Sequence, residues 1–219
     1  TVVGCNSVPD KHRVALIGFY GTSLKVGFGS AGGWVETGDT YTITKSEHNV
    51  VHELNNEPAL TVYKKLLKEK AAELPISGLL YPLQLELVGE GRVIRTLLAV
   101  DEKEQTLTFA GDMPQGVTVH GMSATQEQLI ESAADAGAES TKALAPDKAQ
   151  FSLLVSCVGR QLVLKDRSIE EVEAVHQAVG EQATLHGFYS YGELCPSNQS
   201  AKQCLMHNQT MTVTSFSEK

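Results

Sequence analysis

Phe151-Ser152-Leu153-Leu154-Val155 runs directly into Ser156-Cys157-Val158-Gly159-Arg160, and the reading of this passage decides the fold. A short apolar run bounded by polar residues marks a buried strand. Its end carries a thiol and a guanidinium with a glycine between them. Glycine removes a side chain where a ligand or another backbone must come close. Arginine supplies a planar fork suited to a carboxylate or phosphate, and a cysteine beside it has a route to a lowered pKa. The plain alternative is a buried structural thiol next to a surface arginine.

Two further polar islands follow in the same third of the chain. His186-Gly187-Phe188-Tyr189-Ser190-Tyr191-Gly192-Glu193-Leu194-Cys195-Pro196 is an aromatic strand punctuated by glycines, with Glu193 just past Tyr191. That carboxylate can receive an amine or pair with Arg160, while tyrosines alone are more commonly core residues with a polar tip. His207-Asn208-Gln209-Thr210 places a ring nitrogen and two amides before the alternating Met211-Thr212-Val213-Thr214. Such a run is either a turn satisfying its own backbone or a ligand clamp. If the islands converge, Cys157, Arg160, Tyr189, Tyr191, Gly192, Glu193, His207, Asn208 and Gln209 form one small-ligand site.

Outward from this third, strands and helices interleave. Arg13–Phe19 and Ser23–Phe28 read as strands joined by Tyr20-Gly21-Thr22, a hairpin signal. Gly27, Gly29, Gly32 and Gly33 then suggest a tight turn with positive-φ positions, since no Lys-Ser/Thr follows to make a phosphate loop. Trp34 reads as a core plug. Pro58 opens a helix that continues through Leu60, Tyr63, Leu67 and Ala71 to Pro75. Residues 83–120 form a β-meander with turns at 88–92, 101–104 and 111–116. Arg95, inside one of its strands, reads as a salt-bridged structural arginine or, less plainly, a ligand group. Ser123-x-x-Gln126 and Ser168-x-x-Glu171 are capping-box signatures for two more helices, with the small residues 136–146 linking the first of them to the Phe151 strand. The expected fold is α+β, with a mixed, largely antiparallel sheet or sheets and about three packed helices.

Composition narrows the function. The 219 residues hold 42% hydrophobic and 20% charged residues, as an ordinary folded protein does. A net charge of −8 with no basic stripe argues against nucleic acid or an anionic membrane as partner. No apolar run approaches the roughly 20 residues that span a bilayer. Four cysteines (Cys5, Cys157, Cys195, Cys204) are too few for a disulfide framework and point to a reducing cytoplasm, although Cys195 and Cys204 can close a short loop under oxidation. The start at Thr1 suggests a fragment or processed chain.

Cys195-x8-Cys204-x2-His207 invites a metal reading but lacks the paired knuckles of structural zinc. Cys157 and His207 are an alternative metal pair, or a thiol–imidazole couple for a cysteine-dependent enzyme.

Gly33-Trp34, the strand Thr42-Ile43-Thr44, Asn55-Asn56-Glu57-Pro58-Ala59-Leu60 with Tyr63, Ser156–Arg160, Gly187–Glu193, Pro196 and His207–Val213 together resemble the FIST sensory family. The match is collinear: residues 57–218 resemble its C-terminal module and residues 1–54 the tail of its N-terminal module. The resemblance implies a cytoplasmic, non-enzymatic bacterial sensor of small molecules, amino acids or related metabolites foremost. It also implies output partners such as histidine kinases, cyclase-type or chemoreceptor domains. Some members are haem-binding sensors, for which His207 or Cys157 would be the axial candidates. Without haem, Arg160 would hold an anionic group of the ligand and Glu193 a cationic one.

Overall fold

Gly27 and Gly29 set the way the chain layers. The computed structural model describes residues 2–4, 6, 8–87, 91–196 and 204–219. Both glycines lie within strand β1 (Leu24–Ala31). A Cβ on Gly27 would sit 2.1 Å from the Ser140 carbonyl oxygen, and one on Gly29 2.1 Å from that of Ala136. Helix α2 (Gln126–Lys142) therefore rests its backbone directly on β1. The expected glycine turn is thus corrected: of the four glycines only Gly33 takes a left-handed conformation, at φ 74°.

β1 belongs to a four-stranded sheet of order β1-β14-β10-β11, with β10 spanning Phe151–Cys157, β11 Thr184–Ser190 and β14 Met211–Glu218. The β10–β11 pair is parallel and the other two pairs are antiparallel. α2 and α4 (Ser168–Val179) cover one face, with Ala133, Ala136, Leu154, Val175, Val179, Met211 and Val213 forming the core between. Small residues permit this closeness: a Cβ on Gly137 would meet Ala178 at 3.2 Å. Beneath α2, Ser215 bonds both Ser140 (2.7 Å) and Ser152 (2.8 Å), so the buried hydroxyls satisfy each other.

A larger antiparallel sheet runs β6-β5-β9-β2-β3-β8-β7, with the short β4 (Glu57–Pro58) beside β3. Its strands are β2 (Val35–Glu47), β3 (Val50–Leu54), β5 (Leu83–Leu87), β6 (Gly91–Arg95), β7 (Leu97–Asp101), β8 (Thr106–Phe109) and β9 (Thr118–Ser123). Helix α1 (Ala59–Leu67) packs Leu60, Tyr63 and Leu67 against Ile43, Leu54, Leu85 and Phe109. A ribbon of β12 (Glu193–Pro196) and β13 (Cys204–His207) lies beside β10 and β6, between the two sheets. Strands from both sides of residue 57 share both sheets.

The three expected helices are present with shifted ends. α1 gives way to a 3-10 turn at Lys68, short of Pro75. The capping box of α2 is Thr125 with Gln128, two residues beyond the expected pair, and the helix extends through most of the supposed link. α4 carries no side-chain cap, because Glu171 turns inward. A further short helix, α3 (Val158–Leu164), begins where a strand edge was expected. The largest departure is at 13–19, which forms no strand pair with any described residue. Val14, Leu16 and Ile17 stand in solvent, and only Phe19 leans on Phe216, ring centroids 4.6 Å apart. An extended segment becomes a strand only beside a free edge, and this one does not return along β1. Residues 88–90 of the expected turn at 88–92, and Cys5, lie outside the described residues.

Candidate functional site

The turn from His207 to Thr210, between β13 and β14, is the meeting point of the three polar islands. Gln209 sits at φ 60°, a left-handed conformation that costs a non-glycine residue about 1–2 kcal/mol. Surrounding bonds hold it there. Trp34 Nε1 donates to the Gln209 carbonyl at 3.1 Å, and Gln209 Nε2 donates to the Leu79 carbonyl at 3.1 Å. Its amide lies on Gly159, where a Cβ would come within 2.8 Å of Oε1. The Cys157 N–H donates to the Thr210 carbonyl at 3.0 Å, latching the end of β10 to the same turn. Asn208 accepts from the Thr96 N–H at 3.3 Å.

Glu193 lies alongside. It pairs with His207 across the ribbon, so both side chains share its buried face with Cys195. Ser190 Oγ donates to Glu193 Oε1 at 2.6 Å and Thr210 Oγ1 to Oε2 at 2.9 Å. Burial raises the Glu193 pKa, and the two hydroxyls partly oppose it. Burial lowers the His207 pKa, so the ring is neutral near pH 7. One ring nitrogen donates to the Cys195 carbonyl, which leaves the other, Nε2, as an acceptor.

Arg160 approaches the turn from below. Nε donates to Glu171 Oε2 at 2.6 Å, Nη1 to the carbonyls of Gly32 (2.9 Å) and Gln209 (3.4 Å), and Nη2 to the Leu129 carbonyl (2.7 Å) and Ser132 Oγ (3.5 Å). All five of its N–H bonds are thereby matched within the protein. The expectations that Arg160 pairs with Glu193 or holds an external anion are corrected on this ground: the carboxylate it holds is Glu171. Ser156 Oγ (3.0 Å) and the Tyr189 hydroxyl (3.4 Å) also donate to Glu171. Tyr191, by contrast, is exposed to solvent. Gly192 passes close to the turn, a Cβ there lying 3.7 Å from Asn208 Nδ2.

Arg95 is the residue whose role the sequence conceals. It is 7% exposed, and Nε donates to the Asp112 carbonyl (3.2 Å) while Nη1 donates to those of Ile94 (3.1 Å) and Met206 (2.9 Å). It forms no salt bridge with any described residue, contrary to the structural-arginine reading. Burial lowers its pKa and the Asp112 charge opposes this, but a guanidinium stays charged regardless. The signal available beforehand was the charge itself, placed inside a strand.

Four buried polar atoms along this seam have no partner among the described residues: His207 Nε2, Gln209 Oε1, Ser77 Oγ and Thr96 Oγ1. Ser77 precedes Leu79, which holds Gln209, and Thr96 follows Arg95 and is tied to Asn208.

The thiols offer less. Burial pushes the Cys157 thiol up, Glu193 adds to this, and the N–H groups of Gln209, Gly159 and Arg160 only partly oppose it. No hydrogen bond joins Cys157 to His207 among the described residues. Cys195 is buried and Cys204 exposed, on opposite faces of the ribbon, so the Cys195, Cys204 and His207 ligand trio does not assemble. Among the described residues no group of three His, Cys, Asp or Glu side chains is arranged to hold a metal. For haem, His207 Nε2 is a suitable donor atom, but the clefts of about 510 Å3 over Arg92 and Val117 and about 230 Å3 between α4 and β11 include neither His207 nor Cys157.

Residues 59–196, more than half of the chain, match the FIST C domain, and residues 1–57 match the FIST N domain. The chain belongs to the FIST family. FIST domains are associated with sensory signal transduction. No curated protein and no solved structure matches this FIST chain. Among its described residues no helix is long and apolar enough to cross a membrane.

Proposed function

We infer that this FIST chain is a non-enzymatic sensory domain whose small ligand binds along the His207–Thr210 turn and presents an amino group, as an amino acid or a related metabolite does. One observation carries the reading. His207 Nε2 and Gln209 Oε1 are both buried acceptors without a partner among the described residues, in a turn whose other polar groups are tightly engaged. Buried acceptors call for donors, and an ammonium supplies three. Glu193, next to His207, adds the complementary charge. The family's association with signalling supports a cytoplasmic setting and an output partner of the histidine kinase, cyclase-type or chemoreceptor class.

Catalysis by Cys157 is less supported, because its surroundings disfavour the thiolate that a nucleophile requires. Calorimetric titration of the full chain with the common amino acids tests the proposal. Binding of at least one, weakened in Glu193→Gln, is expected; no binding by any at millimolar concentration contradicts it.

A further inference from the structure

We propose that Arg95 is the oxyanion-binding residue of this same site, taking the carboxylate or phosphate group of the ligand on its open Nη2 edge. The proposal rests on the ligand reading above and replaces Arg160 in the role first expected of it. Five arginines occur in the chain, and four of them pair with carboxylates: Arg13 with Asp10, Arg92 with Glu36 and Glu86, Arg160 with Glu171, and Arg167 with Glu127 and Glu170. Arg95 is the exception among the described residues, although it is far more buried than Arg13, Arg92 or Arg167. No carboxylate among the described residues lies within salt-bridge distance of this buried charge, although that of Asp112 acts on it from further away, and an arriving anion would supply the direct contact.

The guanidinium is also held in a fixed pose. Three carbonyls hold its Nε and Nη1, and Gly111 allows the close approach, since a Cβ there would lie 2.8 Å from Nε. Both N–H bonds of Nη2 point to no described acceptor. The Met206 carbonyl that anchors Nη1 immediately precedes His207, and the Arg95 charge acts on that ring. An oxyanion on Nη2 would thus sit beside the residue that leads into the His207–Thr210 turn, where His207, Gln209 and Glu193 offer acceptors to an ammonium.

The test is arginine-selective 15N NMR of the full chain, with Arg95 assigned by the loss of its signals in Arg95→Gln, or in Arg95→Lys if the first variant fails to fold. Sodium acetate, sodium phosphate and glycine are titrated against sodium chloride at equal ionic strength. Saturable movement of the Arg95 signals with acetate or glycine, with Arg160 unmoved, is expected, together with at least about tenfold weaker acetate binding in the variant. A response to phosphate alone identifies a phosphorylated ligand and still supports the site. Arg95 signals that ignore all three anions overturn it. Methylammonium separates the two ideas: if it shifts His207 while no anion shifts Arg95, the amine reading stands and the Arg95 proposal falls. If the anions shift Arg95 and methylammonium shifts nothing, Arg95 stands and the amine reading falls.

Discussion

Nε of Arg160 meets Oε2 of Glu171 at 2.6 Å, with neither side chain exposed to solvent. The pair joins the start of α3 to the inner face of α4, and the same guanidinium ties the loop at Gly32, the α2 backbone and the Gln209 carbonyl to them. Arg160 is therefore the scaffold of the turn. Replacing it with methionine leaves Glu171 buried and unpaired, and about 3–5 kcal/mol of unfolding free energy is expected to be lost in urea titrations. Arg160→Met with Glu171→Met together should lose less than the sum of the two single changes. Simple additivity would show that the pair is not coupled.

Glu193 and His207 give stability opposite dependences on pH. Burial raises the folded Glu193 pKa above its ordinary 4.5, so its contribution is fully present below the unfolded pKa and is lost as pH rises through the folded one. Burial lowers the folded His207 pKa below 6.5, so its contribution is present above that value and is lost as pH falls through the folded one. Glu193→Gln removes the first effect. Denaturation at several pH values should show the variant gaining on the wild type as pH rises from 4.5 towards neutrality. A constant difference across that range would mean that the carboxyl is not perturbed.

Gly29→Ala should be among the most damaging small changes. Its Cβ would press on the Ala136 carbonyl oxygen at 2.1 Å, a backbone atom of α2 that cannot step aside as a flexible side chain would. A loss of about 3 kcal/mol or more is expected in chemical denaturation, the upper range for overpacking. A near-neutral result would mean that α2 slides freely on β1.

Cys157 should resist alkylation. Its thiol is buried and its pKa raised, whereas Cys204 is exposed. Iodoacetamide at neutral pH is expected to modify Cys204 at least about tenfold faster than Cys157, read by peptide mass spectrometry. Faster reaction at Cys157 would revive the enzyme reading.

The polar islands are legible in sequence because thiol, imidazole and amide groups stand out at the ends of apolar runs, and strand ends are where a β-rich fold gathers such groups. Their internal partners are not. Glu171 occurs in the spacing of a capping box, and only the folded chain turns it from the α4 N-terminus towards Arg160. α3 is too short for helical periodicity to show, so its first residues read as a strand edge. Gly27 and Gly29 look like turn residues until α2, more than a hundred positions later, is laid across them. The segment 13–19 has the composition of a strand, but pairing depends on a neighbouring edge that composition does not reveal. Arg95 reads as half of a salt bridge because most buried arginines are paired; that it meets carbonyls and no carboxylate among the described residues shows only in three dimensions.

If ligand binds as proposed, it reaches His207 Nε2, the imidazole nitrogen without a partner among the described residues. Histidine-selective 15N NMR of the full chain, recorded with an amino acid that calorimetry shows to bind, observes that atom directly. The His207 Nε2 resonance, assigned through His207→Gln, is expected to move towards the hydrogen-bonded position as ligand is added and to saturate at the calorimetric stoichiometry. A ligand that binds fully while the His207 Nε2 resonance stays where it was would contradict it.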